Sequence, residues 1–174
     1  MSSIRFFFVA HKWVGIIAAL VLTVCAGTGF LLLIKKEVAW VQPPERAGAA
    51  PNTLAVTFDD ILRVCVSDPR LGITGWGDVR RVDVRPRAGI AKVITKHGME
   101  AQVDLSTGEL LQVAQRRSDL IESIHDGSFF GEWAHGYLWP LASVSLLFLV
   151  LSGLWLWLLP KVRRARRRTP KPVN

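Results

Sequence analysis

Residues Trp13 to Ile34 read WVGIIAALVLTVCAGTGFLLLI, 22 positions without a charge. As a helix rising about 1.5 Å per residue, this run covers roughly 33 Å, the thickness of a bilayer's hydrocarbon core. A second run, Tyr137 to Leu159, reads YLWPLASVSLLFLVLSGLWLWLL and is also uncharged over 23 residues. Pro140 falls in its first turn, where a missing N–H costs little. Pro160 and a basic tail end it. Trp133, Tyr137 and Trp139 stand at one end and Trp155 and Trp157 at the other, as interfacial belts do. Both runs are predicted transmembrane helices. The first is too long for a secretory h-region, and no A-x-A site follows it cleanly, so it reads as an uncleaved anchor.

Charge sets the orientation. Of 22 Lys and Arg and 14 Asp and Glu, residues 35–132 hold all the acids and 13 of the bases, a net of −1. The flanks hold nine bases and no acid, and seven of those bases lie between Lys161 and Lys171. The total of +8 is therefore a membrane pattern and not a nucleic-acid footprint. The positive-inside rule puts the tail in the cytoplasm, Arg5 and Lys12 agree, and Lys35 and Lys36 are outvoted. Residues 37–132 are then expected outside an inner membrane, in the periplasm. The tail also suits anionic lipid. Cys25 lies in the first apolar run and Cys65 in the middle segment, so the two do not pair, and no C-x-x-C spacing exists.

The 174 residues divide on this reading into an N-terminus and first span (1–36), a linker (37–52), a soluble domain (53–117), an interfacial helix and membrane entry (118–136), a second span (137–160) and the basic tail (161–174). QPPERAGAAPN, 42–52, reads as an extended Pro/Ala linker. Thr57 caps a short helix with Asp59 and Asp60 in its first turn and Phe58, Ile61, Leu62 and Cys65 on one face. Strand candidates follow at Val79–Arg85, Ile90–Thr95, Glu100–Val103 and Glu109–Val113, separated by turn signals such as His97-Gly98 and Asp104 to Gly108. The fold class is α+β: two spans flanking a small helix-plus-antiparallel-sheet domain. The carboxylates of this domain alternate with arginines as on a solvated surface, and no catalytic pair stands out.

Val103-Asp-Leu-Ser-Thr-Gly-Glu-Leu110 at the end of that order resembles a PepSY domain. His11-Lys-Trp-Val-Gly15 with Thr28-Gly29, and Ile124-His-Asp-Gly-Ser-Phe-Phe-Gly131 with Ser152-Gly-Leu-Trp-Leu-Trp157 and Pro160, resemble the helices of PepSY-associated transmembrane proteins. The resemblance covers nearly the whole chain in order. It implies that haem b is a possible cofactor and ferric-siderophore reduction a possible activity, as in larger members with at least four helices. With two helices, this chain would need a homo-oligomer or another membrane subunit.

Three histidines are the candidate haem-iron ligands. His11 is an ionisable group inside an apolar run and a functional candidate on that ground. Neutral imidazole suits haem iron, while a lipid-facing interfacial histidine is the plain alternative. His125, in I-H-D-G, is the stronger transfer from the resemblance, with Asp126 able to orient a histidine. His135 is the third. Ten residues separate His125 from His135, about 80° off a common face were the helix continuous. His11 lies near the inner surface and His135 near the outer, roughly 35 Å apart along a helix, so one haem does not join them. A symmetric copy would supply the partner ligands, helped by small residues such as Gly15, Ala18, Ser152 and Gly153. His97, in a turn, reads as a surface residue. No nucleophile triad, phosphate loop, zinc helix or dinucleotide fingerprint is present. The alternative function is a non-enzymatic, membrane-anchored module whose domain binds a periplasmic protein.

Overall fold

The computed structural model describes residues 3–168, with side chains from Ile4 to Val162. Residues 169–174 of the basic tail expected at 161–174 lie outside the described residues, and helix continues through Pro160, which was expected to end the second span, to Arg168. The elements are α1 (Ser3–Leu33), α2 (Phe58–Ser67), β1 (Val79–Arg85), β2 (Ile90–Thr95), β3 (Met99–Asp104), β4 (Leu110–Gln115), α3 (Ser118–His125) and α4 (Trp139–Arg168), with a π-helical turn at Ala134–Leu138. They form two compact units, one from residues 29–122 and the other from the residues on either side.

In the helical unit, Ile4–Leu33 and Ala134–Val162 are long and apolar enough to cross a membrane. Their exposure separates them from the core helices of a soluble protein. Only 6% and 11% of their most apolar windows are buried, and Ile17, Leu20 and Leu151 leave 76%, 75% and 66% of their surface uncovered. In water such surface would cost tens of cal/mol per Å², whereas lipid accepts it. The two helices run antiparallel. His11 meets Ser152, Gly15 faces Leu149, and the Phe7 and Trp155 rings lie 6.5 Å apart. Ala18, Ala142 and Ser152 are buried where the backbones approach, as small residues permit.

The other unit is a four-stranded antiparallel meander in the order β1-β2-β3-β4 with α2 on one face. Thr57 caps α2 in a reciprocal box with Asp60. Ile61 and Cys65 of α2 pack with Leu71, Ile73, Ala91, Val93, Ala101, Val103 and Leu105. Burial pushes the Cys65 thiol up to about 11, so it serves as a small apolar filler. Phe58, expected on the buried face, is instead exposed beside Trp76, because it occupies the first helical position.

The second sheet face accounts for two departures from the sequence reading. All six residues of β2 are buried, which requires cover on both sides. Residues 41–50, which fall within the stretch read as an extended linker (37–52), supply that cover. Arg46 N–H donates to Gln102 Oε1 at 2.8 Å, Gln102 Nε2 donates to Pro44 O at 3.0 Å, and Ala49 N–H donates to Asp104 Oδ2 at 2.5 Å. Strand alternation aims Lys92, Glu100, Gln102 and Asp104 at this cover. Glu100, Asp104 and Asp119 are therefore buried and bonded, not dispersed over a solvated surface.

The Asp104 carboxylate accepts from Ser106 Oγ at 2.6 Å, Ala49 N, Ser106 N at 2.7 Å and Thr107 N at 3.0 Å. These bonds, the Ser106 hydroxyl first, hold its carboxyl well below the ordinary carboxylate range despite desolvation. A depressed folded value stabilises the fold above the unfolded value of about 3.9, and this contribution fades as the pH falls below it toward the folded value. Asp104→Asn is accordingly expected to lower the urea midpoint at pH 7. It is expected to flatten the acid limb, so that the gap to wild type narrows at pH 3.

Candidate functional site

The site is built from the ends of the helical unit. α1 contributes His11 at one end and Cys25 and Thr28 near the other, 14 and 17 residues away, or about 21–26 Å along the axis. α4 returns Ser152 and Gly153 to the level of His11. His11 Nδ1 and Ser152 Oγ lie 2.7 Å apart, and a Cβ on Gly153 would sit 3.4 Å from His11 Cε1, so the absent side chain gives the ring its room.

At the other end, α3 stops at His125, and Gly127 turns the chain with φ +82°. His125 Nδ1 lies 3.0 Å from Thr28 Oγ1 and 3.1 Å from Cys25 O. The His125 carbonyl accepts from Trp139 Nε1 at 2.6 Å. His135 Nδ1 donates to Asp126 O at 2.8 Å. The intervening chain holds a left-handed Gly127, a single 3-10 turn (Ser128–Phe130), Gly131 and the π turn. The 80° offset of a continuous helix therefore does not apply. His125 and His135 line one cleft of about 490 Å³ with Leu22, Cys25, Asp126, Trp139, Pro140, Ala142, Ser143 and Leu146. That volume falls within the usual range for a small-molecule or cofactor site.

The π turn ends just before Pro140. Pro140 has no N–H to offer, and the Trp139 N–H reaches Ala134 O, five residues back. The widened turn carries His135. Phe130 stacks on Trp139 at 5.5 Å. A methyl at residue 127 would lie 2.5 to 2.6 Å from Trp139 ring carbons. Gly127→Ala is thus expected to cost about 1–2 kcal/mol for the left-handed backbone and about 1–3 for overpacking. Its displaced indole would release the His125 carbonyl, and the readouts are a lower thermal midpoint and faster alkylation of Cys25.

The structure brings His125 and His135 together and leaves His11 at the opposite end. His97 lies in the β2–β3 turn of the other unit. From the sequence, Cys25 was read only as a cysteine without a disulfide partner, Thr28 as a motif position, and Ser152 as a motif position and a small residue for close helix contact. The available signal was a hydroxyl or thiol within an otherwise apolar span. Whether these residues fit a haem follows from the donor set. Each of the three imidazoles is engaged through Nδ1, and none has an Nε2 partner among the described residues. A histidine that ligates a metal characteristically anchors its other nitrogen in this way. The residues fit. Among the described residues no three His, Cys, Asp or Glu side chains converge on one ion, so any iron ligated here would take its remaining ligands from elsewhere.

Two long, apolar, largely exposed helices flanking a helix-on-sheet domain are the marks of a membrane protein. The family model for the PepSY-associated TM region matches residues 8–172, and the chain belongs to that family. No curated protein and no solved structure matches it.

Proposed function

We propose that the protein sits in a bacterial inner membrane with both termini cytoplasmic and residues 37–132 periplasmic, and that it passes electrons across the bilayer on haem b. Ferric or siderophore reduction for iron uptake is the corresponding activity. The observation that carries this reading is the set of three membrane-level histidines, each tied at Nδ1 and open at Nε2. His125 and His135 line one cleft, and His11 occupies the opposite end of the helix pair. The charge asymmetry between flanks and middle supports the orientation.

Bound haem would supply reversible one-electron transfer. The chain's own part is to present imidazole nitrogen at two depths. Leu22, Pro140, Ala142 and Leu146 give the cleft apolar walls, and Trp139 holds the His125 carbonyl. A second copy related by two-fold symmetry would bring another His11 to the first, which is why a dimer, or an equivalent membrane subunit, belongs to this reading. Expression with added haem followed by detergent purification tests it. Haem should co-purify in a fixed ratio to protein with a Soret band, and its absence from haem-replete cells would leave a membrane-anchored module that binds a periplasmic protein.

A further inference from the structure

We propose that Ser152 and Thr28 are positioning residues that fix His11 and His125 in the Nδ1–H tautomer, so that each ring presents an unprotonated Nε2. A hydroxyl has one proton and two lone pairs. Ser152 Oγ lies 2.6 Å from Phe148 O and 3.3 Å from Leu149 O, carbonyls that only accept. The serine proton is therefore spent within its own helix, the back-bonding that hydroxyls make in apolar helices. Were it turned to the ring instead, two oxygens would face each other at 2.6 Å with no proton between them. The 2.7 Å contact between Ser152 Oγ and His11 Nδ1 is consequently donated by the ring.

Thr28 repeats the device at the other end of the pair. Its Oγ1 lies 2.6 Å from Val24 O and 3.3 Å from Cys25 O, so it accepts from His125 Nδ1 at 3.0 Å. Cys25 O, 3.1 Å from the same nitrogen, requires the same proton. A neutral imidazole carries one N–H and one lone pair, so fixing the proton on Nδ1 leaves Nε2 bare. A metal ligand needs that lone pair, and an acceptor behind the ring both orients it and raises its basicity. This inference rests on the haem reading only for what Nε2 meets. The tautomers themselves do not depend on it.

The test is long-range ¹H–¹⁵N correlation spectroscopy of the full, haem-free chain with labelled histidine in detergent micelles. It is run well above the ordinary imidazole value of about 6.5, with each ring assigned by single replacement. Wild-type His11 and His125 should both show Nδ1–H. Ser152→Ala should shift His11 alone toward Nε2–H, while Ser152→Thr, which keeps a back-bonded hydroxyl, should restore it. Haem added to Ser152→Ala should bind about 10–100-fold more weakly than to wild type. A wild-type His11 in the Nε2–H form would overturn the assignment. So would a Ser152→Ala spectrum with His11 unchanged, or one in which both rings move and threonine fails to rescue. If wild type binds no haem while the tautomers behave as stated, the haem reading fails and the positioning role stands.

Discussion

Replacing Glu100 with alanine will destabilise the soluble unit by about 3–5 kcal/mol, the cost of leaving buried charge uncompensated. Glu100 Oε2 accepts from Arg116 Nη1 at 2.6 Å, its Oε1 accepts from Gln102 Nε2 at 2.8 Å, and Lys92 Nζ lies 3.8 Å from Oε1. Lys92 and Arg116 are themselves buried, at 2% and 9% exposure. Asp119 meets Arg116 Nε at 2.8 Å and Glu45 meets Lys92 at 3.0 Å, so partial compensation survives. The loss should nevertheless be a large fraction of the 5–15 kcal/mol typical of a domain. The same change frees Gln102, which clamps Pro44 and Arg46, so cover and sheet should loosen together. Urea unfolding of the full chain in detergent measures the first effect. Hydrogen exchange at Arg46 and Gly48, whose N–H groups donate to Gln102 and Ala88, measures the second. A midpoint within error of wild type would mean that the network contributes nothing net.

The second large effect is expected at the histidines. His125→Ala removes the ring from the cleft and withdraws its N–H from Thr28 Oγ1 and Cys25 O. Haem retained per protein should fall about ten-fold or more, and His11→Ala should do the same through its own end of the helix pair. His97→Ala, in the β2–β3 turn, should retain haem as wild type does. Haem content and the thermal midpoint are measured together on each variant. Equal haem in all three would remove these rings from the site, and loss from His97→Ala as well would point to damage to the fold.

Much of the architecture could be read in the sequence because it follows from local rules. Two uncharged runs longer than 20 residues pointed to spans, the Thr57 and Asp60 spacing is itself the capping box, and the bounds of β1 and β2 coincide with their alternating or apolar runs. The docking of residues 41–50 was not legible. Its cause is long-range: Gln102 and Asp104 bond backbone some 55 residues earlier, and Pro/Ala composition carries no trace of that partner. The same blindness made Glu100 look solvated, since alternation identifies a second face but not what covers it. At the site, the three histidines could be listed from sequence. The His125 and His135 arrangement could not, because it depends on a left-handed Gly127 and a π turn that no helical wheel represents.

The proposed function requires that these imidazoles hold haem. Its most direct test is a dithionite-reduced minus oxidised absorbance spectrum of the detergent-purified, haem-replete protein. Wild-type protein should show the α-band of a b-type cytochrome, diminished in His11→Ala and in His125→Ala. A flat difference spectrum from folded wild-type protein would contradict it and leave an anchored binding domain with three structural histidines.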